Sequence, residues 1–86
     1  MSTFNISNIV PAESRKEILQ RALEQASSEV FRIAFDLLID PDTVTEGWKA
    51  SDSGVEEGHF LWGSAVLLEF HLNRYFSAKK QLEALS

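Results

Sequence analysis

The hydrophobic residues of the first half of the chain recur at alternating steps of four and three positions. They are Leu19, Leu23, Ala26, Val30, Ile33 and Leu37. This spacing is typical of the buried face of a long helix. Ser14 and Glu17 form a capping-box pattern near its start, although Pro11 would suit a start one turn earlier. Because Pro41 disfavours helical geometry in the residue before it, we predict a first helix over residues 13–40.

A second series of hydrophobic residues with helical spacing occupies the last third of the chain. It comprises Leu61, Ala65, Leu68, Leu72, Tyr75 and Leu82. Ser53 and Glu56 form another capping-box pattern ahead of it, so we predict a second helix over residues 54–84. Gly58 and Gly63 weaken the early turns of such a helix, which indicates either a later start or the close approach of another helix.

A short acidic connection, residues 41–53, joins the two predicted helices. Thr43 and Glu46 supply a third capping-box pattern, which predicts one or two helical turns that end near Ala50. Residues 1–12 carry no charged side chain. They could form a short strand, but no sheet is predicted for it to join, so we interpret them as an arm packed on the helices. The predicted fold is therefore all-α, a long antiparallel two-helix hairpin with a short helical turn between the helices.

Two segments, residues 30–39 and 60–72, are apolar almost all the way round a helix. A helix with this pattern is buried on every side, and one neighbouring helix cannot cover it. The chain, residues 1–86, forms one small domain, and a domain of this size buries only about 60–65% of its unfolded surface. It has no cysteine for a disulfide, which leaves oligomerisation as a source of stability. We expect a homodimer that forms a four-helix bundle.

The net charge of −5 is concentrated in one part of the chain. Residues 1–39 carry −1 and residues 58–86 carry +1, whereas residues 40–57 carry −5. Such a segment repels phosphate backbones and anionic lipids, and it attracts basic protein surfaces. We therefore expect a partner protein with a basic surface, and neither nucleic acid nor a membrane. The alternative is that these charges only keep a loop solvated.

Three features of the sequence favour a cytoplasmic protein. Cysteine is absent, as is common in a reducing compartment. The N-terminus lacks the basic and apolar regions of a signal peptide. The uncharged runs are too short for a membrane span.

Trp48 lies within the acidic segment, and it is the residue there best suited to anchor a partner. We predict a contact surface formed by Trp48 together with Asp42, Glu46 and Asp52. The alternative interpretation makes Trp48 a plug that closes one end of the bundle.

Glu56 and His59 have the spacing Glu-x-x-His, which resembles the ligand motif of ferritin-like di-iron bundles. The resemblance implies a carboxylate and histidine metal site assembled across the dimer, with Asp36 of the first helix opposite the motif. In the other interpretation Glu56 caps the second helix, and Asp36 pairs with Arg32 on the outside of the first helix.

No set of residues indicates catalysis. The chain has two histidines, twelve residues apart, and no Ser–His–acid set, phosphate loop or calcium loop accompanies them. Glu69 and His71 interrupt an apolar run, and we predict that both face solvent. The leading hypothesis is a small, acidic, non-enzymatic protein–protein interaction module without a cofactor, acting as an adaptor, regulator or inhibitor.

Overall fold

The chain folds into two long antiparallel helices joined by an irregular connection. The computed structural model describes residues 12–85. Helix α1 spans Ala12–Asp36 and helix α2 spans Trp62–Leu85. Two short 3₁₀ turns, Pro41–Thr43 and Ala50–Ser53, lie in the connection, and residues 12–85 contain no strand. The prediction of an all-helical hairpin is confirmed.

The start of α1 differs from the capping-box prediction. The chain is already helical at Ala12, so Ser14 lies inside the helix and is not its N-cap. The alternative of an earlier start is therefore the correct one. The predicted arm, residues 1–12, lies outside the described residues except for Ala12, which belongs to α1.

The predicted hydrophobic faces of the two helices pack against each other, as the spacing of their residues requires. A single cluster of buried side chains forms the core, with members from both helices and from the connection. They are Val30, Ile33, Ala34, Val44, Trp48, Leu68 and Leu72. No helix within residues 12–85 is long and apolar enough to cross a membrane.

Helix α1 ends at Asp36, four residues before the predicted end at residue 40. The backbone N–H of Ile39 donates to the carbonyl of Ala34 (2.8 Å), and that of Leu38 donates to the carbonyl of Phe35 (3.0 Å). This pair of hydrogen bonds is a Schellman motif. Leu38 occupies its left-handed position, with φ 58°, where glycine is usual. The early end turns Ile39 back against the core.

The connection is held by local hydrogen bonds at two points. Asp40 caps the first 3₁₀ turn, since its Oδ1 accepts from the N–H of Asp42 at 3.0 Å. In the second turn, Ser53 Oγ donates to the carbonyl of Ala50 at 2.6 Å. The helix predicted to open at Thr43 and end near Ala50 is wrong, because Gly47 adopts φ 90° and the chain between the two turns is not helical.

Helix α2 begins at Trp62, eight residues after the predicted start at residue 54. Ser53 ends the second 3₁₀ turn instead, and its Oγ accepts from the N–H of Val55 at 3.1 Å. The predicted box between Ser53 and Glu56 is therefore wrong. His59 stands ahead of α2, where its Nδ1 accepts from the N–H of Leu61 and its carbonyl accepts from the N–H of Trp62. These bonds satisfy N–H groups that a helix start leaves without partners.

Candidate functional site

The outward surface of α2 is apolar over its first half. Five residues recur at helical spacing on this side, and we call them the outer stripe. They are Gly63, Val66, Leu67, Phe70 and Arg74. The exposed fractions are 46% for Val66, 42% for Leu67 and 53% for Phe70. Removing side chains of this size from water lowers the free energy of the system. The outer stripe is therefore a candidate contact surface.

A second exposed apolar group lies at the end of α1. Phe31 and Phe35, one helical turn apart, are 55% and 77% exposed, and Leu38 is 91% exposed. Phe60, just before α2, is 86% exposed. The two segments that the sequence marks as apolar on all sides are thus covered on one side only by their own chain.

Arg74 provides the only positive charge of the outer stripe. Its guanidinium carbon lies 5.8 Å from the centre of the Phe70 ring, within the range of a cation–π contact. The described residues place no carboxylate within ion-pair distance of Arg74. The stripe therefore combines apolar side chains with one cation that has no anionic partner within residues 12–85.

Ion pairs occupy a different surface of α1. Glu29 accepts two hydrogen bonds from Arg32, at 3.1 and 2.9 Å, and these bonds lower the pKa of Glu29. Arg32 also lies 3.7 Å from Asp36, which confirms the predicted outward pair. Asp36 is therefore engaged as a surface carboxylate.

Glu69 and His71 do not face solvent, and the prediction that they do is wrong. Glu69 Oε1 accepts from the N–H of Ala50 at 2.7 Å, because the connection passes over this flank of α2. The His71 side chain is only 13% exposed and its Nε2 lies 4.0 Å from Glu29 of α1. Its buried Nδ1 finds no hydrogen-bond partner among residues 12–85. Helical periodicity gives no signal for either placement, since both depend on what covers the flanks of α2.

Trp48 is part of the core, with 9% of its surface exposed. Trp48 is therefore not an exposed contact residue in the single chain, and its burial favours the interpretation of Trp48 as a plug. Val44 and Trp48 are four residues apart in the sequence, and both side chains enter the core. That apolar pair is the signal that sequence reasoning missed.

The three predicted acidic contact residues remain on the surface. Glu46 pairs with Lys80 of α2, and the bond raises the pKa of Lys80. Asp52 Oδ2 accepts from the N–H of Lys49 at 3.0 Å. The Asp42 side chain is exposed. Their role toward a partner stays a prediction.

The predicted metal ligands Glu56, His59 and Asp36 are not brought together in the single chain. Residues 12–85 contain no group of three or more His, Cys, Asp or Glu side chains that could hold a metal ion. His59 Nδ1 is engaged with the N–H of Leu61, and Asp36 faces Arg32. A site assembled across two copies stays a prediction.

A small cavity of about 230 Å³ lies between the helices and the first 3₁₀ turn. Its wall is mostly apolar, with Val30, Phe31, Leu72 and Phe76 among the lining residues, and Lys79 lies at its edge. Sites for small molecules commonly measure about 300–1,000 Å³. The cavity is therefore below the usual size of a ligand site.

Most of the chain is similar in sequence to a short part of a much longer protein. No protein-family model matches the chain, and no solved structure matches it. Over 62 residues, 72% of this chain, it is 32% identical to the probable anion transporter 4, chloroplastic, of Arabidopsis thaliana. The chain spans only 12% of the length of that protein.

Proposed function

We propose that this protein is a non-enzymatic helical interaction module that works as a homodimer, with two hairpins forming a four-helix bundle. The observation that supports the proposal is the set of large apolar side chains left exposed in residues 30–39 and 60–72. They are Phe31, Phe35, Leu38, Phe60, Val66, Leu67 and Phe70. Scattered exposed hydrophobic residues are normal, but exposed ones that recur on one side of a helix, as on α1 and on α2 here, mark an interaction surface.

Burial of these residues supplies enough free energy to offset the cost of association. Full burial of a valine, leucine or phenylalanine side chain contributes about 1.5–3 kcal/mol. Covering several partly exposed ones on both copies therefore yields a free energy comparable with the cost of association, about 4–15 kcal/mol. A small single-domain chain has few other ways to add buried apolar surface.

The homodimer is tested by measuring molar mass as a function of concentration. Light scattering or sedimentation equilibrium at micromolar concentration should give about twice the chain mass of 9.7 kDa. Dilution should shift the mass toward that of one chain, because association obeys mass action. A constant mass of one chain throughout the micromolar range would contradict the proposal.

The acidic connection provides the second part of the proposed function, the attraction of a basic protein. Residues 40–57 hold the entire net charge of the chain, and Asp42, Glu46 and Asp52 are exposed there. A local field of this kind raises the association rate with a cationic surface, and salt weakens it. The adaptor or regulator would thus use one surface for its own second copy and another for its partner.

Binding of a decalysine peptide tests this second part. Asp42→Lys should weaken binding at low salt more than Glu24→Lys, which makes the same change of net charge on α1. The difference should shrink as salt is added, because screening shortens the range of the field. Equal effects of the two variants would show that only the net charge matters, and would contradict a local surface.

A further inference from the structure

Gly63 is a glycine that the single chain does not require. It lies in the first turn of α2, and its backbone does not have the positive φ that explains Gly47 and Gly54. A Cβ atom added at Gly63 would meet nothing within 4 Å. Glycine also lowers helix propensity relative to alanine. The missing side chain therefore leaves a notch on the outside of α2 that nothing in residues 12–85 fills.

The notch and the largest side chain of the outer stripe lie on the same side of α2. Gly63 and Phe70 are seven residues apart, which is about two turns, or roughly 10 Å, along one face. Val66 and Leu67 lie between them on the same face. Along the outer stripe, the notch at Gly63 is followed by the apolar residues Val66 and Leu67 and then by the protruding side chain of Phe70.

We propose that two copies pack through their α2 helices in antiparallel orientation, so that Phe70 of each copy sits in the notch at Gly63 of the other. This inference rests on the proposed homodimer and specifies one contact within it, between the two α2 helices; Phe31, Phe35 and Leu38 of α1 take no part in that contact. The pairing of position 70 with position 63 also sets position 66 opposite position 67. The twofold axis then passes beside Val66 and Leu67, and the contact is isologous, as in most homodimers.

The charges favour the antiparallel orientation. It brings Arg74 of one copy to the level of residue 59 of the other, next to the exposed carboxylates of Glu56 and Glu57. Within residues 12–85 neither carboxylate has an ion-pair partner. A parallel orientation would instead place the two acidic connections side by side, where like charges repel.

The size of the surface also fits a second copy. Stable interfaces bury about 800 Å² on each partner. A whole aromatic side chain contributes about 150–250 Å², so Phe70, which is 53% exposed, offers roughly 100 Å² of that area. Val66, Leu67 and the long side chain of Arg74 extend the patch.

Cross-linking maps the interface directly, because the chain has no cysteine of its own. In Val66→Cys, the two thiols of a dimer lie beside the twofold axis and should form a disulfide-linked dimer under mild oxidation. Ser77→Cys is the matched control on the same side of α2. Its two copies would lie roughly 30 Å apart along the helix direction, so it should stay unlinked.

The notch itself is tested by Gly63→Leu, with Gly58→Ala as the control in the loop before α2. Gly63→Leu should raise the dimer dissociation constant at least tenfold, since the added side chain occupies the place of Phe70. Phe70→Ala should also weaken the dimer, whereas Gly58→Ala should leave the dissociation constant within twofold. Circular dichroism at a concentration where the chain is monomeric checks that the helices persist in each variant.

The outcomes separate this interface from the homodimer itself. A dimer that cross-links through Phe31→Cys and not through Val66→Cys would keep the proposed function and overturn the α2 interface. An unchanged dissociation constant in Gly63→Leu would overturn the notch. A chain that stays monomeric would remove both the proposed function and this inference.

Discussion

In the first half of α2 both faces are apolar, but their surroundings are opposite. On the inner face, Leu68 and Leu72 are 0% and 3% exposed, whereas on the outer face the neighbouring residues Leu67 and Phe70 are 42% and 53% exposed. The inner face is covered by α1 and by Trp48 of the connection. Nothing in residues 12–85 covers the outer face to the same degree. Apolar character along a helix therefore shows which surfaces need a neighbour, and does not show where the neighbour comes from.

This comparison divides substitutions into two kinds. A change on the inner face removes contacts within one chain, so it lowers the free energy of unfolding at any concentration. A change on the outer face removes contacts only where a second copy is bound, so its effect depends on protein concentration. Measurements that vary concentration therefore separate the two faces.

The largest effect is expected at Trp48. Trp48→Ala should lower the free energy of unfolding by about 3–5 kcal/mol, since it removes a large buried side chain and leaves a cavity. The measurement is denaturant unfolding followed by circular dichroism. Phe60→Ala is the control, because this aromatic residue is 86% exposed and should cost little in the monomer. A loss no greater than that of the control would mean that Trp48 does not hold the core together.

The adjacent pair Leu67 and Leu68 gives the sharpest contrast between the two faces. Leu68→Ala should cost about 2–5 kcal/mol, and the loss should be the same at low and high protein concentration. In dilute solution, Leu67→Ala should lower the free energy of unfolding much less than Leu68→Ala does. At concentrations where the dimer forms, the loss caused by Leu67→Ala should be larger. Thermal melts at two concentrations measure both. Equal, concentration-independent losses would break the distinction between the faces.

A moderate gain of stability is expected at Leu38. This residue is in the left-handed conformation, φ 58°, which is unfavourable for a side chain with a Cβ atom. Leu38→Gly should raise the free energy of unfolding by about 1 kcal/mol. Leu38→Ala removes the same exposed side chain and keeps the Cβ atom, so it should not give this gain. If the two variants are equally stable, the backbone at residue 38 is not strained.

The sequence predicts the helical faces well because helical packing follows from a local repeat. The residues placed inward by their spacing, from Leu19 to Leu37 and from Leu61 to Leu82, are buried or half-buried in the structure. One turn of helix fixes the direction of the next, so this information is contained in the order of residues.

The helix ends and the connection were harder to predict, for a different physical reason. The pattern of Ser53 and Glu56 fits a capping box, yet Ser53 Oγ bonds within a 3₁₀ turn, and His59 takes the position ahead of α2. Leu38 stands where glycine is usual. Several local solutions compete at such positions, and the tertiary contacts of Val44 and Trp48 decide between them. The connection also covers Glu69, whose Oε1 accepts from the N–H of Ala50. Helical periodicity contains no information about this contact.

The smallest effect concerns the ion pair on the outside of α1. The two hydrogen bonds from Arg32 hold the pKa of Glu29 below the ordinary value of a glutamate, whereas the unfolded chain has no such pair. The folded state therefore binds the proton less readily than the unfolded state. The resulting stability is present above a pH of about 4.5, and it is lost as the pH falls through the lowered pKa of Glu29.

Thermal melts at a series of pH values from 6 downward would measure this contribution. Glu29→Gln should melt slightly lower than the unmodified chain at pH 6, and the gap should close as the pH falls through the lowered pKa of Glu29, because the carboxyl group then becomes protonated in both states. Glu24→Gln serves as the control, because Glu24 is an exposed glutamate of the same helix without an ion pair among residues 12–85. Its melting temperature should run parallel to that of the unmodified chain. Because the pair is exposed and salt screens it, the gap at pH 6 should also narrow in high salt. A gap that stayed constant across the pH range would show that the carboxylate of Glu29 contributes through packing and not through its charge.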